Sequence, residues 1–213
     1  LAFCETTFFD DVDPEVERAV REAGRVLQSL GAQVTGIAVP EVAAAWAEKN
    51  RPLLIPAEGC AVNREFLDRH LDALDPVIGP RMLTGRTLSA PDYHALLRRY
   101  AQLREDLRWT LRDVDALLVP TTMAPARPLA VIDADNDAYL DYNRRVHRNT
   151  GIGNILDLCG VSLPCGFTSK GLPIGLMVYA KPFAEDMALR VAYAYEQATD
   201  WHTRHPDLAW TAR

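Results

Sequence analysis

The first forty residues set the terms for the fold. "LAFC" is an apolar run of strand length, "DVDPEVERAVREAGRVLQSLG" carries a helical period, and "AQVTGIAVP" returns to an extended pattern. Strand, helix, strand at this spacing predicts a βαβ-like unit, which commits the chain to an α/β architecture. Asp13 stands where an N-cap belongs, Pro14 suits the first helical position and Gly31 suits the stop. Val16, Val20, Ala23, Leu27 and Leu30 fall on one predicted apolar face.

Three later segments extend that pattern. "SAPDYHALLRRYAQLREDLRWTLRDV" is the longest periodic stretch, capped by Ser89, with Leu96, Tyr100, Leu103, Leu107, Leu111 and Val114 as its apolar stripe. "DALLVP" (115–120) predicts a fully buried strand ending at a proline. The proline-rich "TTMAPARPLAVIDADND" behind it predicts a long loop, and loops at the ends of buried strands are where α/β folds place their sites. A helix is expected across "AYLDYNRRVHRNTG" and a last amphipathic one across "AEDMALRVAYAYEQATDWHT". Between them, "CGVSLPCGFTSKGLPIGL" predicts strands at 161–167 and 173–180 joined by "TSKG", with Gly171 supplying the permissive backbone. Residues 41–80 are broken by Pro52, Pro56, Gly59, Pro76 and Pro80 and predict only short helices around "EVAAAWAEK" and "NREFLDRHLDAL". No linker divides the chain, so 1–213 is expected to be one α/β domain.

Composition excludes several classes. A chain of 213 residues, 48% hydrophobic, is long enough to bury a full core. No stretch reaches the roughly 18 apolar residues of a membrane span, and no signal peptide is recognisable, so a cytoplasmic location is expected. The chain begins at Leu1, which suggests that it was cut from something longer. A net charge of -6 argues against a large nucleic-acid surface. "NRRVHRN" (143–149) remains a local basic patch, whereas Arg98, Arg99, Arg104, Arg108 and Arg112 alternate with acids and predict a solvated, ion-paired helix face.

The motifs that carry chemistry are incomplete. Ser162 is the one serine set rigidly in a strand pattern, but it is in no G-x-S-x-G elbow and reads as a strand residue on the opposite face from its neighbours. Cys159 and Cys165 match no zinc spacing, and all four cysteines read as structural thiols. His202, His205 and Asp207 lack a third ligand cluster, and the calcium-loop imitation at Asp133, Asp135 and Asp137 fails at Ala138 and Arg144. "TGIGNIL" lacks the third glycine of a dinucleotide fingerprint. No metal or cofactor is expected.

Taken together, "FFDDVDPEVERAVREAGRVLQSLGAQV", "DALLVPTTMAPA" and the stretch from "NTGIGNILDLCGVSLPCGF" to "WHTRHPDL" resemble the C-terminal half of the amidase signature family, enzymes that hydrolyse carboxylic amides. The resemblance implies part of a mixed β-sheet covered by helices, with the N-terminal catalytic half missing. In that family a serine nucleophile, a serine in a cis peptide and a lysine base carry out acyl transfer beside a Gly-Ser-rich oxyanion loop. This chain has neither that loop nor a matching lysine, so no catalytic residue carries over and the isolated chain is expected to be inactive.

What carries over is a wall of the substrate pocket. Arg81 matches an arginine that holds the substrate carboxylate in the glutamine-using branch, a task suited to a guanidinium fork. Thr121 and Thr122 follow the buried strand, and Asn154 matches a family asparagine near the last strands. His147 occupies the position where the glutamine-using branch places an aspartate to read the substrate ammonium, which favours a general amidase of small amides over a tRNA-dependent amidotransferase A subunit. A non-catalytic scaffold module is the third reading. The expected partners are a small amide, the N-terminal half of the same enzyme and further copies of the chain, since a cut sheet leaves an apolar edge.

Overall fold

The computed structural model describes residues 1–49, 54–132 and 134–205. Strand β1 (Ala2–Cys4) leads through helix α1 (Pro14–Ser29) to strand β2 (Thr35–Ile37). Helix α2 (Pro40–Lys49) follows, then the short helices α3 (Leu54–Val62), α4 (Arg64–His70) and α5 (Ile78–Leu83). The long helix α6 (Ala90–Thr110) delivers the chain to strand β3 (Ala116–Pro120). Helices α7 (Leu129–Ile132), α8 (Asn136–Val146) and α9 (Arg148–Ile155) precede strands β4 (Cys159–Phe167) and β5 (Pro173–Ala180), and α10 (Glu185–Ala198) closes the sequence of long elements.

The strands form one mixed sheet in the order β2-β1-β3-β5-β4. β1 pairs in parallel with both β2 and β3, while β5 runs antiparallel to β3 and β4. Alternation along the strands sends side chains to two faces. Leu117, Val119, Met177 and Tyr179 pack with α2, α6 and α9 on one face. Ala116, Leu118, Leu176 and Val178 pack with α1 and α10 on the other. Every residue of β3 is buried, as its unbroken aliphatic run requires, and each fully buried aliphatic side chain contributes roughly 2 kcal/mol.

Local chemistry accounts for the boundaries. Asp13 accepts from the Glu15 amide at 2.8 Å at the start of α1, and Ser89 accepts from the Asp92 amide at 3.2 Å at the start of α6. The β4–β5 turn closes through Thr168, whose carbonyl accepts from Gly171 at 2.9 Å while Gly171 adopts φ +75. β4 lies at the sheet margin, where Pro164 costs no ladder bond, and the register shifts by one residue between Pro164 and Gly166.

Several expectations change in detail. Leu30 is 51% exposed and leaves the α1 face to Val16, Val20, Ala23 and Leu27, because the helix ends one residue before it. The single helix expected over 138–151 is two, divided at His147, and the loop behind β3 contains the short α7. β4 starts at Cys159, two residues earlier than its apolar run suggests. Arg108 on α6 and Arg112 just beyond it pair locally with Glu105 and Asp113, but Arg99 reaches Glu48 on α2 and Arg104 reaches Asp157 beyond α9. The basic series therefore also clamps neighbouring elements. Among the described residues no helix is long and apolar enough to cross a membrane.

Candidate functional site

The strand order fixes where a cleft can open. After β1 the chain passes to α1 on one face of the sheet, and after β3 it passes through α7 and α8 to α9 on the other. Adjacent strands whose continuations leave to opposite faces make a crevice at their carboxyl ends. A cleft of about 270 Å³ lies there. Thr7, Asp10 and Asp11 line it from the segment behind β1, Trp46 from α2 and Met123 from the segment behind β3. Asp141, Arg144, Arg145 and Arg148 line it from α8 and the first turn of α9.

The first turn of α9 closes the floor. Asn149, 1% exposed, donates from Nδ2 to the Pro120 carbonyl at 2.7 Å and to the Phe8 carbonyl at 3.2 Å. Arg148, 5% exposed, donates to the Phe8 carbonyl at 3.0 Å, to the Asp10 carbonyl at 2.5 Å and to Asn149 Oδ1 at 2.9 Å. Backbone acceptors orphaned at the strand ends thus find donors. Burial pulls the Arg148 guanidinium below its ordinary pKa, opposed by the charges of Asp10 and Asp11. Two lining residues hold left-handed backbone, Thr7 at φ +58 and Asp11 at φ +51. A β-branched residue in that region is strained, and such strain gathers at functional sites.

The arginines are paired unequally. Arg144 meets Asp141 at 3.4 Å, and Arg148 is spent on carbonyls. Arg145 Nε is buried and has no hydrogen-bond partner among the described residues.

A second polar feature lies beyond the end of β3. Thr121 Oγ1 and Ser162 Oγ are 2.7 Å apart above Gly175, where an added Cβ would come within 2.7 Å of the threonine hydroxyl. Ser162 stands on the face of the sheet shared with Met177, opposite Leu163, as its strand alternation predicts.

The residues expected from the sequence are dispersed. Thr122 donates to the Ala124 carbonyl at 3.1 Å and Thr121 meets Ser162, both beside the cleft-lining Met123. His147 is exposed at the joint between α8 and α9. Asn154 is exposed near the far end of α9. Arg81 is exposed on α5, which packs with α3 and the turn at 84–87. None of the five is among the residues lining the cleft. Asp10, Asp11, Arg145, Arg148 and Asn149 were not among the expected site residues; "NRRVHRN" carried the signal of the last three as a basic patch, and no motif marked the two aspartates. Among the described residues no group of three metal-ligating side chains converges. Asp133 of the calcium-loop imitation and Asp207 of the histidine cluster lie outside the described residues. The thiols are free; burial pushes Cys4 and Cys165 up to about 12, which makes both poor nucleophiles.

The fold and the cleft define a three-layer α/β protein with an arginine-lined crevice at the switch point of a mixed sheet. The chain belongs to the Amidase family, whose model matches residues 1–189. It is 34% identical to the A subunit of glutamyl-tRNA(Gln) amidotransferase from Gloeobacter violaceus, over 98% of the chain and 46% of that protein. It is 32% identical to an amidase of Pseudomonas putida over 94% of the chain and 43% of that protein. The structure of 6-aminohexanoate cyclic dimer hydrolase matches with a TM-score of 0.80 at 22% identity, covering 97% of this chain and 46% of that one. The chain spans just under half the length of the curated relatives it matches.

Proposed function

We propose that this chain is the C-terminal portion of an amidase that hydrolyses a small carboxylic amide through a serine acyl-enzyme. The nucleophile, its serine partner and the lysine base belong to the rest of the parent polypeptide, and this chain contributes scaffold and pocket wall. The observation that carries the reading is the coincidence of the family match with a polar cleft at the carboxyl ends of β1 and β3. Thr121, Thr122, His147, Asn154 and Arg81 are the wall residues proposed by family correspondence, and the segment from Arg144 to Asn149 is the wall read from geometry. The test is ammonia release from a panel of small amides by the full-length gene product and by the isolated 213 residues. Activity in the former and none in the latter supports the reading. Comparable activity in both sinks the division of labour.

A second reading is the A subunit of a tRNA-dependent amidotransferase, favoured by the 34% identity to such a protein. It predicts glutaminase activity stimulated by partner subunits and charged tRNA. His147 weighs against it, because an imidazole offers no permanent negative charge to a substrate ammonium.

A further inference from the structure

Helix α10 has two unlike faces. Ala188, Val191, Ala192 and Tyr195 are buried toward β4 and β5. The opposite face carries Phe183, Asp186, Arg190, Tyr193 and Gln197, all exposed and spaced alternately by three and four residues, the spacing of a seam between paired helices. Leu189 flanks that seam. Phe183 is 94% exposed, Tyr193 65% and Leu189 58%, so three large apolar side chains share one stripe where a surface ordinarily scatters them singly. Phe183 is also held out on left-handed backbone, φ +61, which a bulky residue rarely adopts.

We propose that this face docks a second copy of the same chain, the two α10 helices packing antiparallel about a two-fold axis at the level of Ala188. The charges select both the partner and the direction. Ala188 is the midpoint of Asp186 and Arg190, so the axis sets Asp186 against the partner's Arg190 and Arg190 against the partner's Asp186. The same operation brings Phe183 to the partner's Tyr193 and Leu189 to its own counterpart. A parallel arrangement would set acid on acid and base on base, which repels. Within one copy Asp186 and Arg190 are 4.0 Å apart and largely exposed, so little is lost when each takes a partner across the axis. A helix of 14 residues is about 21 Å long and buries a weak-class interface, which points to a dissociation constant on the order of 10 µM. The inference rests on α10 alone and is independent of the amidase reading.

The test is sedimentation velocity of the full-length protein from micromolar to submillimolar concentration, with each variant's fold checked by its thermal midpoint. The parent is expected to pass from monomer to dimer. Asp186→Arg and Arg190→Asp each set like charges across the axis and should weaken the dimer about 10- to 100-fold. An equimolar mixture of these two variants has opposite charges at both contacts and should recover association, as should Asp186→Arg/Arg190→Asp in one chain. Mixing would not rescue a defect that came only from losing the ion pair within each helix. Tyr193→Ala should weaken the dimer about tenfold, and Trp109→Ser, which removes an exposed aromatic from α6, should leave it unchanged. The swapped chain and Tyr193→Ala serve if a single charge variant does not fold. A parent that stays monomeric at the highest concentration, because another part of the polypeptide covers α10, overturns the inference. So does a dimer indifferent to the α10 substitutions, or a pair of charge variants that stays apart on mixing.

Discussion

Asn149 donates its side-chain amide to the Pro120 carbonyl at 2.7 Å, tying the first turn of α9 to the last residue of the buried strand β3. The same Nδ2 reaches the Phe8 carbonyl, so one buried group holds three segments at the floor of the cleft. Asn149→Ala leaves two buried carbonyls without this donor and is expected to cost about 2 to 4 kcal/mol. Urea unfolding should show a lower midpoint with an unchanged slope. Thr150→Ala, a residue later and less buried, should stay within about 0.5 kcal/mol, and equal midpoints for the two variants would remove the amide from its structural role.

Gly153 sits where α9 approaches β5 most closely. A Cβ there would overlap the Tyr179 hydroxyl, which itself donates to the Asn149 carbonyl at 3.2 Å. Gly153→Ala is therefore expected to destabilise by about 1 to 3 kcal/mol through overpacking. Trimming the ring in a Gly153→Ala/Tyr179→Leu pair should cost less than the sum of the single changes. A double-mutant cycle with no coupling would contradict the contact.

Thiol titration gives a pH dependence with a fixed sign. Cys4 and Cys165 rise from 9.0 to about 12 by burial, and burial also raises the hydroxyls of Tyr179 and Tyr195. A group whose folded pKa is raised favours the folded state below its unfolded pKa and loses that contribution as pH climbs toward the folded value. Stability should thus be flat up to about pH 9 and fall between about 9 and 12, by about 1.4 kcal/mol per pH unit for each thiol. Denaturant midpoints at pH 8 and pH 11 measure the fall. Native alkylation at pH 8 followed by mass spectrometry should leave Cys4 and Cys165 unmodified while the half-buried Cys159 reacts.

Ser162 tests the assignment of the nucleophile to another part of the parent enzyme. Its hydroxyl meets Thr121 and no described base. Ser162→Ala in the full-length protein should keep amide hydrolysis within about tenfold. A loss beyond about a thousandfold is the signature of a nucleophile and would return the serine to candidacy.

The legibility of this fold follows the range of the interactions that make it. Asp13, Pro14 and Ser89 act within one helical turn, so α1 and α6 were readable from the residues themselves. β3 was readable because burial on both faces leaves an unbroken aliphatic run. The order β2-β1-β3-β5-β4 was not, since nothing local in "DALLVP" says that its neighbours are residues 2–3 and 176–180. The cleft failed for the same reason. Arg148 and Phe8 stand 140 positions apart, and the carbonyls that define the arginine's task belong to no motif. "NRRVHRN" announced charge but could not say that one of its arginines would be tied to carbonyls and another left with a donor to spare.

The two margins of the sheet differ in a way that governs how it can grow. Along β4 the imide nitrogen of Pro164 and the skipped residue after it interrupt any ladder that a newcomer would try to build. Along β2 three consecutive residues, Thr35 to Ile37, are paired on one side alone among the described strands. Extension of this sheet by a further strand is therefore one-way, favoured next to β2 and resisted next to the middle of β4.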